Sequence, residues 1–432
     1  MRTTVVSTAL PNAASGSGAS IVLDLILRAL ARQGHTVALC PIVYPEYVTP
    51  DGADWERQLR HARSLGFELA PVVSDAWRPR PHRRSLGDRL RRALTPPEVE
   101  LYPTLRDAAS VRAAVETLRP DAVLVYGFEA LAATWKLPHP RFAAMSDPPH
   151  VGLRERALFR WRQHGRPLAI AREAVALQAA LRAHRRLAHE LLRDCAAVGA
   201  FGRQHADWLT RIGVECDYYR TPIADPGRPR IDDVPQRHRP RLLLVGHLRG
   251  TATLDGLRIF RRMLPHLRQE LGKGGFQARI VGGYELPDEL RSLLAEPEVE
   301  LAGFVNDVDV ELKAADVLLV PVSIRLGVRV RILTGFAHGS CIVAHEANVA
   351  GIPELAHDAN ALLGEEPREL AFQVARALSD QELMGRLRAG ARATYEQYFT
   401  PELAGAALGE PLERLASSAQ TPTTSRSSRS GE

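Results

Sequence analysis

LAGFVNDVDVELKAADVLLVPVSIRLGVRVRILTGFAHGSCIVAHEANVAG, residues 301–351, alternates strand and helix signals so regularly that it sets the fold class for the whole chain. Val299 to Phe304 is a short apolar run of strand character, and Asn306 and Asp307 are residue types that start helices; the helix they start ends at Ala314–Ala315. Val317 to Val322 then reads as a buried strand that Pro321 closes. The loop that follows is cationic: Gly327-Val328-Arg329-Val330-Arg331-Ile332-Leu333 leads into a helix ending at His338-Gly339, and Cys341 to Ala344 is another strand. Strands of this kind joined by helices form a parallel sheet, which binds ligands at its carboxyl ends. There, helix N-terminal N–H groups and arginine forks can hold a diphosphate.

The same alternation runs outward in both directions. Thr3 to Ser7, a helix over Ala19 to Gln33 closed by Gly34, and His35 to Cys40 make one βαβ unit. Segments at 113–118, 122–125, 130–135, 142–145, 196–201 and 204–212 repeat the pattern, so the N-terminal half is doubly wound α/β. Residues 222–240 are proline-rich and polar, as a linker is, and Arg241 restarts the pattern. With 432 residues the chain is long enough for two domains. The expected division is 1–222, a linker over 223–240, 241–400, a last helix over 401–416, and a disordered tail over 417–432 that has almost nothing apolar to bury.

Apolar residues make up 45% of the chain, yet no run of about 18 occurs, so no transmembrane helix is expected. The N-terminus lacks the apolar stretch and cleavage site of a signal peptide, and the expected location is the cytoplasm. Cys40, Cys195, Cys216 and Cys341 are widely spaced and read as buried small residues rather than a zinc site or disulfide framework. The formal charge is +6, and Lys136, Lys273 and Lys313 are the only lysines, so the positive charge is nearly all arginine. Two arginine-rich segments stand out: Arg78 to Arg92, and a long helical stretch over Leu153 to Cys195, interrupted near Gly165–Pro167, that carries Arg182, Arg185, Arg186 and Arg193. These are either solvated faces or contacts to an anionic membrane surface on its cytoplasmic side. They lack the interleaved aromatics of a nucleic-acid platform, and no nucleic-acid partner is expected.

The motifs from 301 to 351, with Leu244-Val245-Gly246-His247-Leu248 and Gly256-Leu257 upstream, resemble the donor-binding half of retaining family-4 glycosyltransferases (group 1). The resemblance covers residues 241–400. It implies the GT-B fold, two doubly wound Rossmann-like domains facing across a cleft, with the first binding the acceptor and the second a nucleotide-sugar donor. It also implies that the last helix crosses back onto the first domain. A glycosyl group would pass to a hydroxyl of a glycan, lipid-linked or small-molecule acceptor.

Within that frame, the glycine-bearing loop with Gly16, Ser17 and Gly18 approaches the donor from across the cleft, and it lacks the third small residue of a dinucleotide fingerprint because Ile21 stands there. Gly327, Val328, Arg329 and Arg331 cradle the diphosphate; two residues apart on an extended chain, the two arginines would face opposite ways. Arg331 is the one assigned to catalysis, and Gly246, His247, Arg249, Gly282, Phe304 and Val305 line the donor site from neighbouring strand ends. Asp147 and His150, following the strand that ends at Met145, are candidates to orient the reacting groups, with Glu129 a further polar contact. Asp307-Val308-Asp309 has the spacing of a metal-binding pair in another glycosyltransferase fold, but it lies where a helix starts and reads as a cap. No metal or other cofactor is expected. The family's paired glutamates fall on Leu326 and Thr334, which leaves a catalytically silent GT-B partner subunit as a rival reading; the arginines leave a second, a basic membrane- or nucleic-acid-binding protein, which would not explain the ordered donor-domain motifs.

Overall fold

The computed structural model describes residues 1–11, 18–42, 53–73, 109–135, 137–146, 149–164, 167–227, 239–248, 250–283, 285–325 and 327–420. The first half contains β1 (Arg2–Ser7), α1 (Gly18–Arg32), β2 (Thr36–Pro41), α2 (Ala53–Ser64), β3 (Glu68–Leu69), α3 (Ala109–Leu118), β4 (Ala122–Tyr126), α4 (Phe128–Ala133), β5 (Arg141–Met145), α5 (Pro149–His164), α6 (Pro167–Leu192), β6 (Ala197–Ala200), α7 (Arg203–Arg211) and β7 (Asp217–Tyr218). The second contains β8 (Arg241–Val245), α8 (Thr251–Leu271), β9 (Gln277–Val281), β10 (Val299–Gly303), α9 (Val308–Ala314), β11 (Val317–Val320), α10 (Val330–Ala337), β12 (Ile342–His345), β13 (Leu362–Gly364), α11 (Pro367–Ser379), α12 (Gln381–Tyr398) and α13 (Pro401–Gln420).

Two sheets result, with strand orders β3-β2-β1-β4-β5-β6-β7 and β10-β9-β8-β11-β12-β13. Every recorded strand pairing is parallel. Strands such as β4 and β11 are buried along their whole length, as expected of a sheet covered by helices on both faces. In each sheet the chain order reverses at one place, between β1 and β4 in the first and between β8 and β11 in the second. At such a switch point the connecting loops part to opposite faces and leave a crevice at the strands' carboxyl ends.

Two crossovers tie the halves together. The outgoing chain passes Ile223, whose N–H donates to the Phe399 carbonyl at 2.8 Å while its own carbonyl accepts from Tyr395 Oη at 3.1 Å. The returning chain becomes α13, which lies along α1. Its Leu408 and Leu412 are fully buried in the first half's core with Leu23, Leu27 and Leu30. Burial of each such leucine contributes about 1.5–3 kcal/mol. Close approach needs a small residue: a Cβ on Gly405 would lie 2.9 Å from Ala29 Cβ. Arg32 pairs with Glu402 at the rim. A cavity of about 650 Å³ opens beside these crossovers, between Tyr218, Arg220, Tyr398 and Arg414.

Three details differ from the sequence reading. Residues 417–420, placed in the tail, continue α13, because Ser417 and Ser418 turn their hydroxyls back to the carbonyls of Glu413 and Leu415; 421–432 lie outside the described residues. The strand after Asp316 stops at Val320, before the proline rather than beyond it. Cys40 and Cys341 are buried, whereas Cys195 and Cys216 are half-buried; all four thiols are free. The long stretch from Leu153 is the antiparallel pair α5 and α6, closed by Leu153, Ala157, Leu177 and Ala180. Arg182, Arg185 and Arg186 are exposed along α6, and Arg193 is exposed just after it. The Arg78–Arg92 segment lies outside the described residues.

Candidate active site at the sheet switch points

The carboxyl end of β8 is the centre of the site in the second half. Gly246 follows the strand, and glycine is required there: a Cβ would come 2.4 Å from Thr253 Oγ1 and 2.8 Å from both terminal nitrogens of Arg331. Gly282, after β9, is under the same constraint, since a Cβ would fall 1.9 Å from the Gly246 carbonyl oxygen. At the end of β10 the Phe304 ring is 63% exposed. Val305, beside it, packs on the second half's core. Adjacent strand ends thus bring Gly246, Gly282 and Phe304 to one rim, with half-buried His247 beside them.

The loop from β11 reaches the rim at Gly327, which has φ +54°, and enters α10 at Val330. The turn separates the two arginines. Arg329, the residue before the helix and 8% exposed, folds inward and donates from Nη2 to the Ile324 carbonyl at 2.8 Å, so it closes its own loop. Arg331, one residue into α10, donates from Nη2 to Thr253 Oγ1 at 3.1 Å. Among the described residues no carboxylate lies within ion-pair distance of it. The contrast with other arginines of this half is sharp: Arg268 is paired with Glu296 and Glu298, Arg279 with Glu300 and Glu311, and Arg392 with Asp225 and Glu396. Those pairs hold their guanidinium pKa values above the ordinary one. Burial, and then repulsion from Arg329, push that of Arg331 down to about 9. It remains a cation at neutral pH, held in place by Thr253 and with no counter-ion among the described residues.

The first half faces this cation with its own switch point. Gly18 opens α1, and a Cβ there would lie 3.9 Å from Val330 Cγ2, so the N-termini of α1 and α10 meet across the cleft. Val328 and Val330 touch both cores. The Gly327 turn is clasped from both sides: a Cβ on Gly202 would lie 3.4 Å from its carbonyl carbon, and one on Gly351 would lie 2.3 Å from its oxygen. The Arg203 N–H donates to the Gly351 carbonyl at 3.2 Å, and Glu354 takes Tyr218 Oη and Arg220 Nε at 3.1 and 2.6 Å.

Glu129 lies in the first turn of α4, half-buried after Gly127, whose φ is +93°; burial raises its carboxyl pKa. His150 is placed differently from its sequence expectation. Its ring stacks on Trp208 at 3.9 Å, with His184 and His205 at 6.3 and 6.4 Å. Burial, then the neighbouring His205, His184, Arg154 and Arg211, lower its pKa to about 3. It is a neutral stacking group that ties α5 to α7. Thr334 sits at the half-buried face of α10, with its hydroxyl donating to the Val330 carbonyl at 2.9 Å. Asp307 caps α9, accepting from the Asp309 and Val310 N–H groups, and Asp309 pairs with His338 at 3.0 Å. Gly16, Ser17, Asp147, Arg249 and Leu326 lie outside the described residues. Thr253, Gly202 and Gly351 were not singled out from the sequence; only the glycine pair in a ligand-side loop carried any signal, and Thr253 carried none.

Residues 239–380 match the family model described as Glycosyl transferases group 1. No curated protein matches the sequence. Among solved structures, a sucrose-phosphate synthase from Thermosynechococcus elongatus is similar with TM-score 0.67 and 14% identity over 96% of this chain and 99% of that one. Anabaena HepE in complex with UDP-glucose is similar with TM-score 0.64 and 15% identity over 96% and 100%. A glycosyltransferase from Rickettsia africae gives 0.61 and 11% over 96% and 98%. These likenesses each cover 96% of this chain and agree with the two parallel sheets. The chain has the GT-B fold of these structures, and its residues 239–380 match the group 1 glycosyl transferase model.

Proposed function

We propose that this nucleotide-sugar-dependent glycosyltransferase moves a hexosyl group from a uridine-diphosphate sugar to an acceptor hydroxyl, with retention at the anomeric carbon. Residues 241–400 take the donor and 1–222 the acceptor. The observation that supports this most directly is Arg331, a guanidinium held at a sheet switch point with no carboxylate among the described residues paired to it. As the sugar–phosphate bond lengthens, negative charge grows on the departing diphosphate, and a fixed cation with the N-terminus of α10 stabilises that charge more than it stabilises the ground state. Phe304 offers an exposed aromatic face for the base, and Gly246, Gly282 and Gly327 let the backbone come close to the phosphates. HepE, whose fold this chain shares, was solved with UDP-glucose, which favours uridine among the nucleotides.

In this reading Glu129 and Asp147 orient the acceptor. His150, stacked on Trp208, fixes the first turn of α5. Thr334 takes the place of a ribose-binding glutamate with a hydroxyl that can still accept one hydrogen bond. The exposed arginines of α6 serve an anionic membrane or a lipid-linked acceptor at the cytoplasmic face; no helix among the described residues is long and apolar enough to cross a membrane. A panel of sugar nucleotides in thermal denaturation tests the proposal: a donor at a hundredfold its dissociation constant should stabilise a two-state fold by about 2.7 kcal/mol. Stabilisation by UDP-hexoses together with release of UDP on adding acceptor supports it. Binding without release from any donor favours the silent-partner reading, which the Leu326 and Thr334 positions otherwise recommend.

A further inference from the structure

Arg331 owes its position to residues of another element. From the carboxyl end of β8 and the first turn of α8, Gly246 and Thr253 form a seat for the guanidinium: one supplies the absence of a side chain, the other a hydroxyl. Thr253 is 7% exposed and is separated from Arg331 by 78 residues. Its Oγ1 accepts from Nη2 at 3.1 Å, while the space over Gly246 is filled by Nη1 and Nη2 together, each 2.8 Å from where a Cβ would stand. A guanidinium on a flexible stem loses rotamer freedom whenever it is held in one place. At Arg268, Arg279 and Arg392 a carboxylate supplies the attraction that holds the group, and also neutralises it. A threonine hydroxyl holds the group by geometry and leaves its charge intact.

We propose that Thr253 is a positioning residue for the transferase reaction, holding Arg331 over Gly246 so that its unneutralised charge meets the donor diphosphate. The proposal rests on the nucleotide-sugar reading only for the identity of the ligand; the seat itself requires a diphosphate of any source. A neutral acceptor suits the task better than an acid in two respects. It does not compete with phosphate for the guanidinium, and it does not have to be expelled as the leaving group accumulates charge. Thr253 also stands in the first turn of a 21-residue helix, where a carboxylate would gain from the exposed N–H groups. The position favours an acid for stability, and a neutral hydroxyl stands there instead.

The test is calorimetric titration of the full-length protein with inorganic pyrophosphate and with UDP, using Thr253→Val and Thr253→Ser, each alone and with Arg331→Met. Thr253→Val keeps the shape and removes the acceptor, so it should weaken both ligands about 5- to 10-fold with an unchanged melting temperature. Thr253→Ser should return affinity to within about twofold of the parent. In the Arg331→Met background Thr253→Val should have no further effect, which a purely structural role would not produce. Gly246→Ala, which displaces the guanidinium, should reproduce the loss. Equal weakening by valine and serine, or the same loss from Thr253→Val with and without Arg331, overturns the seat. Pyrophosphate binding without UDP binding removes the uridine-donor reading and leaves the seat standing; binding of neither overturns both.

Discussion

Replacing Arg331 by methionine keeps most of the buried stem and removes the charge. The structure then separates two quantities that usually fall together. A charge-assisted hydrogen bond contributes about 1.5–3 kcal/mol, so losing one such contact to a diphosphate should raise the dissociation constant for UDP roughly 10- to 150-fold. Native stability should behave in the opposite sense. Deleting one member of a buried ion pair strands the other and costs about 3–5 kcal/mol, but no carboxylate among the described residues is stranded here. What is removed is a cation whose folded pKa is held down by burial and by Arg329. Because the charged form is disfavoured by folding, its deletion leaves the ligand-free melting temperature unchanged or higher. Denaturation with and without UDP, alongside calorimetric titration, reads both quantities. A drop of several degrees in the free protein, or an affinity loss under about threefold, would refute the assignment of Arg331 as a ligand-facing cation.

Three further outcomes are expected. Arg329→Ala should act mainly on stability, since its Nη2 closes the loop onto the Ile324 carbonyl; amide exchange over 324–329 should speed up, and the protein should melt lower before any ligand is added. Acid should destabilise the first half: His184 and His205, 2% and 3% exposed, have pKa values lowered by burial to about 4, against 6.5 when unfolded, so between those values the unfolded chain binds more protons. Each should then remove about 1.4 kcal/mol per pH unit on going down from pH 6.5 to about 4, and His184→Phe should flatten a denaturation series across that window. Leu412→Ala, in α13, should cost about 2–5 kcal/mol and should lower protection of amides in α1 rather than in the second sheet, as hydrogen exchange can resolve.

The sheets were legible because strands such as Val317 to Val320 are apolar at every position, which only burial on both faces explains. The cationic loop was legible as a loop at a strand's carboxyl end, but alternation on an extended chain could not say which arginine turns inward. That depended on the helix beginning between them, at Val330, which sends Arg329 inward and leaves Arg331 to reach β8. Thr253 was invisible because its partner is 78 residues away and nothing in a Thr-Ala-Thr stretch marks a guanidinium seat. The stacking of His150 was hidden for a related reason: its partner Trp208 is contributed by a later helix. The Asp307–Asp309 spacing could be read from sequence because capping is local, settled within three residues.

The last helix of the chain completes the core of the first half, and this has a consequence during synthesis. When the ribosome has finished β7, the α1 surface that will receive Leu408 and Leu412 has no cover, and about 200 residues remain to be made. At about 5–20 residues per second the nascent first half waits roughly 10–40 s with that groove open. The contact is among the most distant in the chain, so its closure loop entropy falls entirely at the end of folding. The second half has a core of its own, and the protein should therefore emerge in reverse order, with its later half ordered first. Chains arrested at residue 400 would be cut by protease around α1 while residues 241–380 resist; equal resistance in both halves would show that α1 does not need its partner to stay folded.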